Sequence, residues 1–183
     1  MRVLITGMSG TGKSTVIAEL ARRGYRAVDL DSPEFSQLVP AADGELTGVG
    51  GGMDWVWNAK KVAALLDAAG PEPLFVSGCS PNQGAFSSRF DRVVLLTAPT
   101  EVIRDRLAIR TSEDFGKDPA ELERALALIA EIEPLLRRAA DTVIDTSAPL
   151  EEVVARVLAG SQVAGSGPPP RSSDPCSRPG LRT

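Results

Sequence analysis

The stretch Met1-Arg2-Val3-Leu4-Ile5-Thr6-Gly7-Met8-Ser9-Gly10-Thr11-Gly12-Lys13-Ser14-Thr15 decides how the rest of the chain is read. The apolar run Val3–Ile5 predicts a strand buried on both faces, and Thr15–Arg23 predicts a helix. Between them, Gly7 to Ser14 has the spacing G-x-x-x-x-G-K-S, a P-loop in the strand–loop–helix setting its mechanism requires. Glycines let the main chain wrap closely around a polyphosphate. The loop amides and the helix N-terminus concentrate positive potential there. A lysine at position 13 can reach the β and γ phosphates, and the Ser14 hydroxyl can ligate Mg²⁺. The nucleotide contacts expected from this loop are Gly7, Ser9, Gly10, Thr11, Gly12, Lys13, Ser14 and Thr15.

Working outward, strands and helices alternate. Tyr25–Asp31 reads as the second strand, ending in Asp29 and Asp31, with a short helix over Glu34–Leu38 after it. Pro40–Asp54 is glycine-rich and reads as an irregular connection, mobile or functional; a second phosphate cradle is the lesser alternative, since no lysine follows. Asp54 is expected to cap a helix over Trp55–Ala69. Further strands are expected at Pro73–Ser77, Asp91–Leu96 and Thr142–Thr146, with a helix or turn over Ala85–Phe90. Helices are expected over Thr100–Arg110, Pro119–Arg138 with a break at Pro134, and Pro149–Leu158. This alternation predicts an α/β fold of three layers, a five-stranded parallel sheet between helices, in the order 2-3-1-4-5. Residues 1–159 form one domain with a short lid near 111–118. Residues 160–183, rich in Pro, Ser, Gly and Arg, are expected to be a disordered tail.

Composition narrows the chemistry. The 183 residues carry a net charge of −4, which argues against nucleic acid as the main partner. No apolar run is long enough for a bilayer, and the chain enters its first strand without a targeting segment, so a cytoplasmic location is the expectation. The two cysteines, Cys79 and Cys176, lack metal-site spacing, and a reducing compartment argues against pairing them. There is no histidine, so a general base must be Asp or Glu.

In such sheets ligands lie beyond the carboxyl ends of the strands. Those ends carry the P-loop, Asp29 and Asp31, residues 77–83, and Asp145, Thr146 and Ser147. The chain resembles the small P-loop kinases: shikimate kinase, gluconate kinase and, more remotely, adenylate kinase. The likeness runs from Met1 to about Leu158 and is carried by GMSGTGKST, Asp29-Leu30-Asp31, Arg106-Leu107-Ala108-Ile109-Arg110, Glu133-Pro134-Leu135-Leu136 and Ala140–Thr146. It implies ATP and Mg²⁺ as cofactors. It also implies a lid opened by the arginines Arg106 and Arg110, which contact ATP, and an acidic pair that holds the metal and the acceptor hydroxyl. Phosphoryl transfer needs positioning and charge neutralisation, so Lys13 and a lid arginine fit the transferring group. A carboxylate can orient the acceptor hydroxyl and take its proton. Asp31 is the expected base and Asp29, with Ser14, the metal side, the two aspartates being exchangeable. Thr146 and Ser147 complete the expected nucleotide contacts.

The chain departs from these relatives at several points. The third strand ends Val76-Ser77-Gly78, without the Walker B aspartate, which weighs against a motor-type or AAA-type ATPase. The triple glycine of shikimate kinases is replaced by Gly78-Cys79-Ser80, and the position of their carboxylate-binding arginine by Ile132. The acceptor is a small molecule with a hydroxyl group: sugar-like, nucleoside-like or an antibiotic. Its expected contacts are Asp31, Asp54, Trp55, Trp57, Cys79, Ser80, Asn82 and Gln83. Two tryptophans on one helix at this spacing would not share a face, so one is expected in the core; the other either stacks on a ring-shaped acceptor or flanks the core. The competing expectation is an ATP-binding regulatory module or a weak ATPase; a guanine-nucleotide switch lacks its N-K-x-D motif here. A monomer or homodimer is expected.

Overall fold

The computed structural model describes residues 1–42, 47, 49–109 and 119–159. Five strands, β1 (Arg2–Thr6), β2 (Arg26–Asp29), β5 (Leu74–Ser77), β6 (Arg92–Thr97) and β7 (Thr142–Asp145), form a parallel sheet. Two more, β3 (Ser36–Pro40) and β4 (Met53–Trp57), pair antiparallel as a separate ribbon. The sheet order is β2-β5-β1-β6-β7. Counting the five sheet strands in chain order, this is the expected 2-3-1-4-5; the ribbon adds two strands that were not expected. The helices are α1 (Lys13–Arg22), α2 (Ala59–Asp67), α3 (Thr100–Ile109), α4 (Pro119–Ala139) and α5 (Leu150–Ala159), with a 3₁₀ helix over Gln83–Arg89.

Side chains alternate across β1 with the period of two that a pleated strand imposes. Val3 and Ile5 pack with Val16, Ile17 and Leu20 of α1 and Val153, Val154 and Val157 of α5. Leu4 turns to the other face, with Val62 and Leu66 of α2, Phe86, Phe90 and Trp57. Leu95 on β6 meets Leu128, Ile132 and Leu136 of α4. Both faces of the central strands are thus covered, which is why they read as nearly continuous apolar runs.

Three sequence expectations are corrected here. The helix over Glu34–Leu38 is instead a turn leading into β3: Phe35 and Ser36 donate their amides to the Ser32 carbonyl, and Ser36 Oγ donates to the Leu30 carbonyl. The helix over Trp55–Ala69 begins only at Ala59, and its cap is Asn58, whose Oδ1 accepts the Lys61 amide at 3.1 Å. Asp54 caps nothing and lies inside β4. The physical reason is visible in Met53-Asp54-Trp55-Val56-Trp57, where aromatic and β-branched residues favour a strand. Gly50, Gly51 and Gly52, with φ of 76°, 62° and 68°, supply the left-handed turn that returns the chain against β3. The ribbon tip meets α4: a Cβ on Gly50 would sit 2.7 Å from Arg124 Nη1. Finally, α4 continues through Pro134, which lies on its exposed side. Arg110, the expected lid at 111–118, and the tail at 160–183 with Cys176 lie outside the described residues.

A charge cluster ties α1 to α5. Glu19 accepts Nε–H of both Arg22 and Arg23 at 2.7 Å, and Arg23 also pairs with Glu151. The bonds from Arg22 and then Arg23 hold the Glu19 carboxyl at about 2, against an ordinary value of 4.5. A depressed folded pKa adds stability that is fully present above the unfolded value and is lost as pH falls through the folded one. The expected result for Glu19→Gln is therefore a Tm below wild type at pH 6, with the gap closing as pH falls from 4.5 through about 2. A gap that stays constant across calorimetric scans in that window contradicts the assignment. Among the described residues, no helix is long and apolar enough to cross a membrane.

Candidate active site

The P-loop joins β1 to α1, which opens at Lys13 directly after Gly12. Gly7 is required by close approach: a Cβ there would collide with the Leu96 main-chain oxygen and lie 2.7 Å from Thr11 Oγ1. Thr11 is wholly buried and shapes the loop, its Oγ1 donating to the Met8 carbonyl at 2.7 Å. Ser14 and Thr15 are exposed on the first turn of α1, and Ser9 is half-buried. Lys13 folds back over the loop. Its Nζ donates to the Gly7 carbonyl at 2.8 Å and lies 3.8 Å from Asp31 Oδ2.

Arg106 reaches the loop from α3. Its guanidinium donates to the Thr146 carbonyl at 2.7 Å, to Thr146 Oγ1 at 2.9 Å and to the Gly10 carbonyl at 3.3 Å. The segment after β7 is thereby fastened to the P-loop. Ser147 donates its amide to Asp145 Oδ1 at 2.8 Å, and that bond, ahead of the more distant Arg106 and Arg156, holds the Asp145 carboxyl below its ordinary range.

The second half of the site grows from β2 and β5, whose register places Asp29 opposite Ser77. Asp29 Oδ1 accepts from Ser77 Oγ and from the Asp31 amide, each at 3.1 Å. Asp31 is held from several sides. Oδ1 accepts the Trp57 indole N–H at 3.1 Å and the Cys79 amide at 3.1 Å; Oδ2 lies 3.2 Å from the same amide. A Cβ on Gly78, at φ +155°, would lie 2.7 Å from Asp31 Oδ1 and 2.9 Å from Trp57 Cζ2. Burial pushes the Asp31 carboxyl up; Lys13 opposes that, helped by the bonds from Trp57 and Cys79, while Asp29 adds to it.

Trp55 and Trp57 share a face of β4, correcting the helical expectation that separates them: in a strand, residues two apart point the same way. Both turn toward Asp31, Trp55 Nε1 donating to its carbonyl at 2.8 Å. Trp57 is buried, and Trp55 is half-buried. Asp54 occupies the opposite face, buried, accepting the Trp55 amide at 2.9 Å. Ser80 and Asn82 bind the end of the ribbon. The Trp57 amide donates to Ser80 Oγ at 3.2 Å and Asn82 Oδ1 at 3.3 Å, and Asn82 Nδ2 donates to the Trp57 carbonyl at 2.9 Å. Gln83 Oε1 accepts from Thr6 Oγ1 at 3.1 Å at the end of β1. The Cys79 side chain packs toward the Leu95–Leu136 cluster, which also buries Ile132.

Thus Lys13, Asp29, Asp31, Trp55, Trp57 and Cys79 converge, whereas Ser80, Asn82 and Gln83 are engaged in holding main chain and neighbouring strand ends. The fastening of Asp31 by Trp57 and the close pass of Gly78 escaped the sequence reading. The alternation of Met53–Trp57 was the signal for the first, since it fixes both indoles on one face.

Fold and loop together define a P-loop nucleotide-binding protein of the α/β class. The chain belongs to the AAA domain family, which matches residues 3–128. Strand β5 is followed by Gly78 and ends in Ser77, where the Walker B aspartate of an AAA-type ATPase is looked for. Across its length the chain is similar to shikimate kinase 2 of Yersinia enterocolitica, 27% identical over 168 residues, covering 85% of this chain and 92% of that protein. Among solved structures, a shikimate kinase from Acinetobacter baumannii in complex with shikimate aligns with TM-score 0.57 at 16% identity, covering 88% of this chain and 94% of the other. A gluconokinase from Sinorhizobium meliloti 1021 aligns with TM-score 0.51 at 24% identity, covering 87% and 90%. These two structural likenesses establish the fold, that of the small P-loop kinases.

Proposed function

We propose that this protein is an ATP-dependent phosphotransferase acting on a hydroxyl group of a small metabolite in the cytoplasm. The observation that carries the reading is the 3.8 Å approach of Lys13 Nζ to Asp31 Oδ2, which brings the phosphate-binding lysine against a carboxylate suited to an acceptor. In the reaction the acceptor oxygen bonds to the γ-phosphorus, the bond from that phosphorus to the β–γ bridging oxygen breaks, and Asp31 takes the hydroxyl proton. Lys13 and Arg106 stabilise the negative charge of the phosphates. Arg110 is assigned beside Arg106 by sequence, as are Thr146 and Ser147 beside the nucleotide. Trp55, the Cys79 segment and the ribbon bound the acceptor.

The oxygen donors Ser14 Oγ and Asp29 suit Mg²⁺, a hard cation that commonly takes one or two carboxylates plus substrate phosphates. Among the described residues no cluster of three or more His, Cys, Asp or Glu could hold a metal ion. When bound, Mg²⁺ would offset phosphate charge, with Ser14 and Asp29 as its protein ligands. The test is transfer of label from γ-labelled ATP to a panel of sugars, hydroxy acids, nucleosides and aminoglycosides. A hydroxylated acceptor that takes label well above the rate to water is the expected result. Label passing only to water overturns the kinase reading in favour of an ATPase.

A further inference from the structure

We infer that Trp57 is a positioning residue for Asp31, its indole N–H fixing Oδ1 so that Oδ2 is the oxygen presented to the acceptor hydroxyl. This rests on the kinase reading and adds to it a role distinct from substrate stacking. Trp57 is 1% exposed, so its ring is part of the core rather than a platform for a ligand. A buried indole N–H needs an acceptor, and its partner here is Asp31 Oδ1 at 3.1 Å. The ring has little freedom to choose another. The Trp57 main chain is gripped on both sides, its amide by Ser80 and Asn82 and its carbonyl by Asn82. The ring packs against Phe86 at a centroid distance of 6.0 Å and is crossed by the close pass of Gly78. Ser80 and Asn82 therefore act through Trp57.

The two carboxylate oxygens are consequently unequal. Oδ1 has two well-placed donors, Trp57 Nε1 and the Cys79 amide, each at 3.1 Å. Oδ2 has the Cys79 amide at 3.2 Å and the Lys13 ammonium at 3.8 Å. The phosphates of a bound nucleotide compete for that ammonium, and Oδ2 then keeps lone-pair capacity for a hydroxyl. A donor aimed at Oδ1 also resists rotation of the carboxylate about its last bond, which would exchange the two oxygens.

Because the chain has only two tryptophans, its indole N–H resonances are two in number, and the bond can be read without any acceptor. In ¹⁵N-labelled protein, Asp31→Ala is expected to shift the Trp57 indole signal strongly. The Trp55 signal should move little, because its partner is the main-chain oxygen of residue 31. The catalytic arm replaces Trp57 with β-(3-benzothienyl)alanine, which keeps the bicyclic shape and removes the N–H. The expected effect is a kcat lower by about ten- to a hundredfold, the range for a lost hydrogen bond to a charged group, with KM for ATP within about twofold. Incorporation of 5-fluorotryptophan, which retains the N–H, should restore the wild-type kcat. Trp57→Phe serves as the encodable second variant, with its fold checked by circular dichroism. An unmoved Trp57 signal in Asp31→Ala overturns the bond, and unchanged kcat in the benzothienyl variant overturns the positioning role alone. Wild-type protein that transfers to no hydroxyl overturns the kinase reading and this role with it, an outcome identified by the wild type itself.

Discussion

Lys13→Ala is expected to reduce phosphoryl transfer by roughly a thousandfold or more, the scale of removing a preorganised charge from a developing anion. The loss has two sources. The γ-phosphoryl group forfeits its fixed cation, placed by the 2.8 Å bond from Nζ to the Gly7 carbonyl. Asp31 simultaneously loses the foremost influence opposing its burial, so its carboxyl moves further up. Lys13→Arg is not a repair. A planar guanidinium is larger than the ammonium that the folded-back loop accommodates and presents its charge in a fixed fork. Single-turnover transfer, with nucleotide affinity from calorimetry, separates lost binding from lost chemistry. Wild-type turnover in Lys13→Ala refutes the assignment of the loop.

Asp31→Asn is the second large effect. The amide oxygen can still accept from Trp57 and Cys79, so the geometry should persist while proton acceptance is lost. The expectation is a kcat about 10²–10⁴-fold lower with ATP affinity within a few-fold. Stability should move the other way. Burial raises the folded pKa of Asp31 above its ordinary value of 3.8. A raised carboxyl contributes stability that is full below the unfolded pKa and lost as pH rises through the folded one. At pH 7 the wild type therefore bears the cost of its raised carboxyl, which the variant lacks. The Tm of Asp31→Asn should match or exceed wild type at pH 7, and any advantage should shrink as pH falls through the raised folded pKa toward 3.8 and be gone below it. A clear drop in Tm at pH 7 would mean that the ion pair with Lys13 outweighs burial.

Much of the frame is legible in the sequence because its signals are local. Val3–Ile5, the glycine spacing and Lys13 fix a strand, a loop and a helix start within fifteen residues. The parallel strands announce themselves as short apolar runs, the consequence of cover on both faces. The region 34–58 resisted because two local signals pointed the wrong way. Ser32-Pro33-Glu34 imitates a helix start, and Asp54 imitates a cap, whereas cross-strand pairing, which local propensity does not report, decides both. Within the site, Lys13 and Asp31 were identifiable from residue type and position. The roles of Ser80, Asn82 and Gln83 were not, since each depends on a partner between 23 and 77 residues away.

Among the described residues the ribbon β3–β4 shares no ladder with the main sheet, and β2 pairs directly with β5. The ladder of the main sheet is therefore complete without the ribbon, although Trp57 joins α2 in covering that face of the sheet. Strand β4 is tied to the rest of the site through the contacts of Trp55 and Trp57 with Asp31, Ser80 and Asn82. Under the proposed kinase reading, substitutions in β3 and β4 that keep the Trp57 contacts would change the acceptor side of the site while leaving Gly7–Ser14 in place.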